Sequence, residues 1–418
     1  MIIEEKGLCK EEVYGMWQRN FHDPVPYTDF YFQEVYGKNQ ILLNVSPEEM
    51  ASWSEGEKQG EKMPIRGMLH LNPYLLHVQG KEVPAHYIVG VATDEEYRRQ
   101  GVMKDLLVET FSRLHSQGEP FTYLMPADEQ YYLPFDFRFG MEQMEQEVEC
   151  FGKVALKDAG EYQYVDGLTD DLKEICLKEN QIRDRQFAVH TAITPEYLCR
   201  MEKETRSDFA RWITVKKQGK YVGRFVVGAE NDYMVLSQIS CVEKEERKEF
   251  LYHALSYCEN AYHYGKYQLV LEESWQEDVL AAGNYGGVRL LPARKKGLIM
   301  FRLLHLEKMG EYLRGDKEAE CLLTVADDWL KEQNGVYHWK MTENGSQIRK
   351  LSSIEEKEKL VADRVPDGGQ ITVGTLTEQI FGDRTHVDPE GYKGVTAEGK
   401  QLLENLIPLR LSCIQEIV

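Results

Sequence analysis

The stretch that decides the fold runs Tyr87-Ile88-Val89-Gly90-Val91-Ala92-Thr93 and, after a short acidic turn, Tyr97-Arg98-Arg99-Gln100-Gly101-Val102-Met103. Its first half is a continuous apolar run of strand length. Its second half opens a helix predicted over 102–117, with apolar residues at helical spacing and Gly118 where a left-handed glycine ends many helices. The pattern therefore predicts a buried strand, a tight loop and an amphipathic helix, followed by a further strand over 121–125.

The loop between this strand and this helix has the chemistry of a phosphate site. The first N–H groups of a helix have no internal partner and carry the positive end of the dipole, so a pyrophosphate can accept several of them. Gly101 lets the backbone approach closely, and Arg98 and Arg99 add positive charge. Arg-x-x-Gly alone is also typical of a solvated basic helix start, but the strand before it and the helix after it favour coenzyme binding.

The remainder of the chain divides into further segments, as a length of 418 residues predicts. Strands predicted over 221–227, 233–239 and 267–271, with a helix over 244–262, repeat the order of the first segment and indicate an internal duplication. The last segment has strands predicted over 321–325, 337–341 and 370–373. It also has a helix predicted over 396–406, with Thr396 as its N-cap. Its apolar ending predicts a docked C-terminus.

Composition restricts the classes of function. Lys and Arg number 50 against 70 Asp and Glu, giving a formal charge of −20. This argues against nucleic acid and against anionic membrane surfaces as partners. It is compatible with cationic substrates, and equally with simple solubility. The first residues lack the features of a signal peptide and no apolar run has the length of a membrane helix, so we expect a cytoplasmic protein. Eight cysteines and eleven histidines show no metal-binding spacing, and we expect no metal.

The coenzyme motif resembles that of the GNAT acetyltransferase superfamily, which is Arg/Gln-x-x-Gly-x-Gly/Ala after a strand. Arg98 and Gly101 match, whereas Met103 stands at the last small position. The segment from Tyr123 to Phe137 narrows the resemblance to the Eis (enhanced intracellular survival) family, in which a strand leads through a short helix to a Tyr-x-x-Phe element. Tyr132 and Phe135 have that spacing, although Pro134, Asp136 and Phe137 vary the usual Gly-Tyr ending.

The Eis resemblance implies an α/β (α+β) architecture of two tandem GNAT-like domains followed by a domain resembling sterol carrier proteins. The expected domains are a catalytic one over 1–150, a degenerate GNAT-like one over 151–305 and the sterol-carrier-like one over 306–418. The second domain lacks the phosphate cradle, by which we mean the loop and helix start over 98–103 in the first domain. At the corresponding place, Cys241-Val242-Glu243-Lys244-Glu245-Glu246-Arg247 puts carboxylates where phosphate would lie. The resemblance also implies a homo-oligomer, specifically a hexamer.

The same resemblance implies direct attack of an amine on acetyl-CoA, with no metal. Tyr132 would be the general acid that protonates the leaving thiolate, although the adjacent Tyr131 leaves the register open. The C-terminal carboxylate of Val418 would act as a base or as an anchor for the substrate ammonium. The residues matched to coenzyme binding are Val91, Ala92, Thr93, Arg98, Arg99, Gln100, Gly101, Val102, Met103, Lys104, Ala127 and Asp128.

The acceptor is less legible from the sequence. Aromatic and acidic residues over 21–32 suit a cationic amine such as a polyamine, an aminoglycoside or a lysine side chain, but they equally suit a helix packing its aromatic residues inward. One alternative function is a sensor or lipid carrier that binds CoA or an acyl ligand without turnover. Another is an enzyme similar to N-myristoyltransferase, whose fold duplicates the same domain and uses a C-terminal carboxylate.

Overall fold

A computed structural model of the chain describes residues 1–7, 9–48, 50, 63–151, 161–283, 287–384 and 390–416. The chain divides into two compact units that do not follow contiguous sequence. The first unit consists of residues 1–23, 35–141 and 299–418, and the second consists of residues 24–34 and 142–298. None of the helices in these described ranges is long and apolar enough to cross a membrane.

The elements are numbered here in chain order. The helices are α1 Lys10–Asn20, α2 Val25–Phe30, α3 Val102–Ser116, α4 Leu172–Gln186, α5 Pro195–Ser207, α6 Arg247–Tyr262, α7 Gln276–Ala282, α8 Leu306–Met309, α9 Ile354–Ala362, α10 Val373–Phe381 and α11 Ala397–Asn405. The strands are β1 Ile2–Glu4, β2 Gln40–Val45, β3 Ile65–Val78, β4 Lys81–Thr93, β5 Phe121–Leu124, β6 Arg138–Cys150, β7 Tyr162–Asp166, β8 Val189–Thr191, β9 Arg211–Lys217, β10 Lys220–Glu230, β11 Tyr233–Cys241, β12 Lys266–Glu272, β13 Val288–Leu303, β14 Ala319–Ala326, β15 Gly335–Thr342, β16 Gly345–Lys350, β17 Asp367–Thr372 and β18 Ser412–Cys413.

The first unit has a mixed sheet in the order β1-β2-β3-β4-β5. Its neighbours are antiparallel up to β4, and β4 then pairs in parallel with β5. The parallel pair is the one that helix α3 connects, as a strand–helix–strand crossover requires. The end of β13, over 300–303, pairs antiparallel with β5 and completes the sheet.

Helix α3 forms where the spacing of apolar residues predicts it. Its inward face is fully buried at Leu106, Leu107, Phe111 and Leu114, each contributing roughly 1.5–3 kcal/mol of transfer free energy. Gly67 on β3 allows the helix to lie close, because a Cβ at that position would meet Val102 Cγ1 at 2.5 Å. The helix is followed by Gly118 at a φ of +82°, which confirms the predicted C-terminal glycine.

The second unit repeats this arrangement. Its strands lie in the order β7-β9-β10-β11-β12-β6, in which β11 and β12 are the parallel pair joined through α6. The last strand, β6, pairs antiparallel with β12 from Gln143 to Glu149. The sequence-predicted duplication is therefore visible in the sheets of β1–β5 and of β7–β12, which share the same strand order and a parallel step at the same place.

The two halves of the chain exchange their last strands. Strand β6 begins in the first unit and from Glu142 onward belongs to the second, and the end of β13 returns from Ile299 to the first. Neither strand was predicted from the sequence. The three-domain division at 150 and 305 remains a prediction.

The last segment of the chain forms a four-stranded sheet in the order β16-β15-β14-β17, with β14 and β17 parallel. The predicted helix over 396–406 is α11, and the Thr396 hydroxyl caps it by accepting from the Gly399 N–H at 3.2 Å. The likeness of this segment to sterol carrier proteins remains a prediction.

Two local expectations have clear outcomes. The apolar stretches 67–71 and 75–78 each predict a separate strand from the sequence, and this prediction is wrong: β3 is one strand, because its ladder with β4 continues through Pro73, opposite His86. The predicted docking of the C-terminal segment is confirmed at Ile414, which is fully buried and donates its N–H to Met141 Sδ at 3.4 Å. Ile417 and Val418 lie outside the described residues.

Candidate functional site

Strand β4 contains a bulge near its carboxyl end. Gly90 and Val91 together face the single residue Leu69 of β3, so one residue of β4 has no place in the ladder. Gly90 adopts a φ of +60°, and a Cβ there would lie 2.6 Å from Trp17 Cζ3. The indole N–H of Trp17 donates to Asp23 Oδ2 at 2.9 Å, which holds the ring in place. The bulge therefore requires glycine at this position.

At the bulge and beyond it, β4 has no ladder partner in the described part of its parallel neighbour β5, which ends at Leu124. The β4–β5 ladder contains the pair Tyr87 and Tyr123 and no further pair among the described residues, although β4 continues to Thr93. Strand edges without ladder partners expose backbone N–H and C=O groups. The stretch over 91–93, predicted to contact coenzyme, thus lies at the carboxyl end of two adjacent parallel strands, where open α/β sheets bind ligands.

The loop after β4 has the backbone geometry of an anion site. Arg99 and Gly101 adopt left-handed conformations, with φ values of +61° and +83°, and Gly101 is the N-cap of α3. Such turns direct successive N–H groups to one side, and here they add to the unpaired amides of the helix start. Gly101 is exposed, and no heavy atom outside the glycine and its chain neighbours lies within 4 Å of a Cβ built on it.

The side chains of this loop take different parts. Arg98 donates to the Thr93 carbonyl at 3.3 Å and to Asn20 Oδ1 at 3.2 Å, which ties the loop to β4 and α1. Gln100 Nε2 donates to the Glu96 carbonyl at 2.8 Å. The exposed Arg99 side chain has no hydrogen bond or ion pair among the described residues, and its charge is available to an incoming anion.

The remaining predicted coenzyme residues lie in the first turn of α3 and in the segment after β5. Val102 is buried and Met103 half-buried in the first turn of α3, while Lys104 is exposed. Ala127 and Asp128 follow β5 and are exposed, and Asp128 Oδ1 accepts the Gln130 N–H at 2.9 Å. This bond caps a short 3-10 turn that leads directly to Tyr132.

The structure distinguishes the two adjacent tyrosines. Tyr131 is 59% exposed, whereas Tyr132 is 7% exposed. The Tyr132 ring packs edge-on against Phe137 at 5.8 Å, and Phe137 in turn contacts Phe111 of α3 at 5.9 Å. Burial raises the pKa of the Tyr132 phenol to about 12. Its hydroxyl has no hydrogen-bond partner within the described part of the chain, so it can donate to a ligand.

The turn after Tyr132 is anchored by residues that the sequence analysis missed. Trp329 and Arg302 donate to the carbonyls of Pro134 and Phe135, both at 2.8 Å. The sequence does contain a signal for Arg302, which is the single charged residue within the apolar run from Leu298 to Leu304. Such a pattern indicates a charge that is buried and paired.

Most aromatic side chains of the predicted acceptor segment over 21–32 are buried in the protein interior. Its aromatic residues Tyr27, Phe30, Tyr31 and Phe32 are buried, as expected for a helix that directs its rings inward. In the first unit, Trp17 stacks near Phe21 at 4.9 Å and near His70 at 5.4 Å. Complete burial lowers the pKa of His70 to about 3, so this ring is neutral at physiological pH.

Within its described residues, the second unit has no equivalent cradle at the start of the corresponding helix. Helix α6 begins after Glu246 with no left-handed residue at its cap. Its first residue, Arg247, is 2% exposed, lies over the Trp275 ring at 4.4 Å and donates to Gln186 and to the Ser274 carbonyl. Side chains of the second unit itself, those of Arg247 and Trp275, therefore occupy the start of this helix.

Comparisons with known proteins agree with this geometry. Residues 9–140 match the family model described as acetyltransferase (GNAT) domain. No protein among those with curated functions matches the chain significantly.

Three solved structures resemble the whole chain at low sequence identity. A protein from Enterococcus faecalis described as a probable N-acyltransferase has a TM-score of 0.74 and 12% identity, covering 99% of this chain and 98% of its own. A GCN5-related N-acetyltransferase from Kribbella flavida has a TM-score of 0.73 and 14% identity over 100% of both chains. Eis1 from Mycobacterium abscessus has a TM-score of 0.64 and 13% identity, covering 99% and 98%. These likenesses confirm the predicted fold.

Proposed function

Residues 9–140 are a GNAT acetyltransferase domain, and from this premise we propose that the protein transfers acetyl from acetyl-CoA to a primary amine of a cationic small molecule. The enzyme class is N-acetyltransferase and the co-substrate of such a domain is acetyl-CoA. We propose the identity of the acceptor, the site residues and the role of each of them in the paragraphs that follow.

The first step assigned is coenzyme binding. The amides around Gly101 and the start of α3 hold the diphosphate, and the unpaired Arg99 supplies a positive charge. Arg98 acts mainly by fixing the loop, since its guanidinium is bonded to Thr93 and Asn20. The left-handed turn at Arg99 and Gly101 and its position at the carboxyl end of the parallel strands β4 and β5 support this placement.

The second step is acyl transfer. Bound acetyl-CoA supplies an activated acetyl group with a thiol leaving group. The backbone N–H at the bulge, near Val91, stabilises negative charge on the thioester oxygen. The amine nitrogen forms a bond to the carbonyl carbon as the carbon–sulfur bond breaks, and the amine loses one proton while the sulfur gains one.

The Tyr132 phenol has the properties needed at the sulfur. A pKa near 12 keeps it protonated at every working pH. A thiol titrates near ~8.5, so complete transfer from the phenol alone would be uphill by several kcal/mol, at about 1.4 kcal/mol per pKa unit. Tyr132 therefore acts as a general acid only if its proton transfer to the sulfur is coupled to the proton that the amine releases, which restores the phenol and leaves the exchange neutral overall.

The acceptor is proposed to be cationic, such as a polyamine, an aminoglycoside or a lysine-like amine. The net charge of −20 attracts such molecules. The Val418 carboxylate, which lies outside the described residues, is proposed as base or anchor; a short extension after Val418 should then impair acetylation while the fold is retained.

A hexamer is also proposed, from the resemblance, and a cytoplasmic location is proposed from the sequence features given above. The second unit is proposed to be non-catalytic, since Arg247 and Trp275 fill the start of α6. Sedimentation of the purified chain tests the hexamer.

The observation that carries the proposal is the hydroxyl of the buried Tyr132, which has no hydrogen-bond partner among the described residues and follows β5, the parallel neighbour of the strand that leads to Gly101. The test is thiol release from acetyl-CoA with a panel of polyamines and aminoglycosides. Tyr132→Phe should lower kcat by about a hundredfold with little change in acetyl-CoA affinity, whereas Tyr131→Phe, the matched control, should retain activity. Unchanged turnover in Tyr132→Phe refutes the acid role, and CoA binding without any thiol release favours a sensor.

A further inference from the structure

The turn that carries Tyr132 is held by side chains of β6, of the end of β13 and of the last segment of the chain. The Trp329 indole N–H donates to the Pro134 carbonyl and Arg302 Nε donates to the Phe135 carbonyl, each at 2.8 Å. Arg138 adds a bond to the Leu133 carbonyl at 3.1 Å. Three consecutive carbonyls after the phenol are therefore fixed by three different side chains.

Arg302 is itself held rigidly. Its Nη2 donates to both carboxylate oxygens of Asp327, at 2.8 and 3.0 Å, and its Nη1 donates to the Leu303 carbonyl at 2.9 Å. Both members of this ion pair are fully buried, and the guanidinium lies over the Phe111 ring at 4.0 Å. A buried pair of this kind gives little net stability but fixes geometry, because removing either partner leaves an uncompensated charge.

The same carboxylate fixes the second donor. Asp327 Oδ1 also accepts the backbone N–H groups of Trp329 and Leu330, both at 2.9 Å. The positions of the Trp329 indole and of the Arg302 guanidinium relative to the turn are thus set by one acid. The two donors to the turn act as one unit.

The Trp329 ring connects the turn to the coenzyme helix. It packs against Phe135 with 4.8 Å between centroids, and Lys104 Nζ, in the first turn of α3, lies 5.2 Å from its centroid. On the far side of the turn, Asp136 closes it in a left-handed conformation, with a φ of +66°. A side chain at Gly374 of α10 would collide with the Asp136 carboxylate.

We propose that Trp329 and the Arg302–Asp327 pair are positioning residues for Tyr132, so that the last segment of the chain serves acetyl transfer directly. This inference rests on the proposed function, in which the phenol must meet the sulfur. A displacement of about 1 Å in a catalytic group can cost on the order of a hundredfold in rate. These side chains hold the backbone of the turn against such displacement.

Trp329→Phe is a selective test. It removes the N–H donated to Pro134 but keeps a ring against Phe135 and under Lys104, so the expected result is a five- to tenfold lower kcat with an unchanged KM for acetyl-CoA. The matched control is Trp339→Phe, which removes an indole hydrogen bond to Ser346 Oγ at 3.3 Å in the four-stranded sheet of the same unit. That control should leave kcat unchanged.

A double-mutant cycle separates positioning from general structural support. If Trp329 acts through Tyr132, the Tyr132→Phe/Trp329→Phe double variant has the same kcat as Tyr132→Phe alone, because no phenol remains to be positioned. Arg302→Lys, which keeps the charge but changes the donor to Phe135, is the second variant and should also lower kcat without raising KM. Thermal unfolding establishes that each variant is folded.

The outcomes are distinct. Wild-type kcat in Trp329→Phe, or multiplicative losses in the double variant, overturns the positioning role while leaving the proposed function intact. Wild-type kcat in Tyr132→Phe overturns the acid role itself, and the positioning role with it.

Discussion

Trp17 occupies the space into which any side chain on residue 90 would project, since a Cβ built on Gly90 would lie 2.6 Å from Cζ3 of the indole. The glycine also has a positive φ, of +60°. Two separate constraints thus act on the residue that forms the β4 bulge, and the bulge sets the direction of the backbone that leads to the proposed coenzyme site.

We expect Gly90→Ala to destabilise the fold more than a matched glycine elsewhere. The control is Gly80→Ala, in the β3–β4 turn, which has a φ of +73° but nothing within 4 Å of its Cβ. Strain alone should cost about 1–2 kcal/mol at either site, and overpacking against Trp17 should add about 1–3 kcal/mol at Gly90. Urea unfolding measures the difference. Equal losses in the two variants would show that Trp17 moves freely.

The role of the cradle in coenzyme binding can be tested at Gly101, before α3, with Gly118, after the same helix, as the control. Gly101→Ala and Gly118→Ala place the same residue at nearly equal φ values, +83° and +82°, with open space around both. The strain should lower stability similarly in the two variants. Only Gly101→Ala should weaken CoA binding, by about tenfold, because it changes the amides that face the diphosphate. Calorimetric titration with CoA measures this, and equal affinities in both variants would remove the cradle from coenzyme binding.

The raised pKa of Tyr132 predicts the shape of the pH–rate profile. Since burial raises that pKa to about 12, the phenol stays protonated between pH 7 and 10, and kcat should not fall at the alkaline end of this range. The Tyr132→Phe loss should be the same factor throughout. A descending limb centred near pH 10 that is present in the wild type and absent in Tyr132→Phe would show that the phenol titrates at its ordinary value.

His70 predicts an acid-sensitive fold. Its folded pKa of about 3 lies below the reference value of 6.5, so between these values the unfolded chain binds a proton that the folded chain does not. Stability is therefore fully present above pH 6.5 and falls as the pH drops towards 3. Between pH 7 and pH 5 this group alone should remove about 2 kcal/mol from the free energy of unfolding.

Denaturant unfolding at the two pH values measures the His70 effect. His70→Phe should lack this part of the pH dependence, whatever its stability at pH 7. The exposed His22, replaced in the same way, is the control and should keep it. A pH dependence unchanged in His70→Phe would contradict the burial of a neutral ring.

The elements that could be predicted from the sequence are those with local signals. Helix α3 and the apolar part of β4 were predicted because their periodicity lies within one stretch of chain. Strands β6 and β13 were missed because β6 carries many acidic residues and each pairs with a strand far away in sequence. Which sheet a strand joins depends on tertiary packing rather than on its own pattern.

In the candidate site, too, the residues in a short motif could be predicted from the sequence, whereas those that depend on the folded chain could not. Arg98 and Gly101 were recognised from a short motif, but the left-handed turn at Arg99 and the bond from Arg98 to Thr93 depend on the folded loop. The choice between Tyr131 and Tyr132 also required the fold, because neighbouring residues in a 3-10 turn point in different directions. The contribution of Trp329 could not be predicted, since it comes from almost two hundred residues further along the chain.

The exchange of β6 and β13 bears on how this protein is made. During synthesis, the sheet that carries the coenzyme loop emerges from the ribosome long before Ile299, and until then β5 lacks the strand that covers its outer edge. Until then the nascent chain has an unpaired strand edge at β5, with which strands of other chains can form hydrogen bonds. Truncation at any point before Leu303 should yield insoluble product rather than a smaller enzyme.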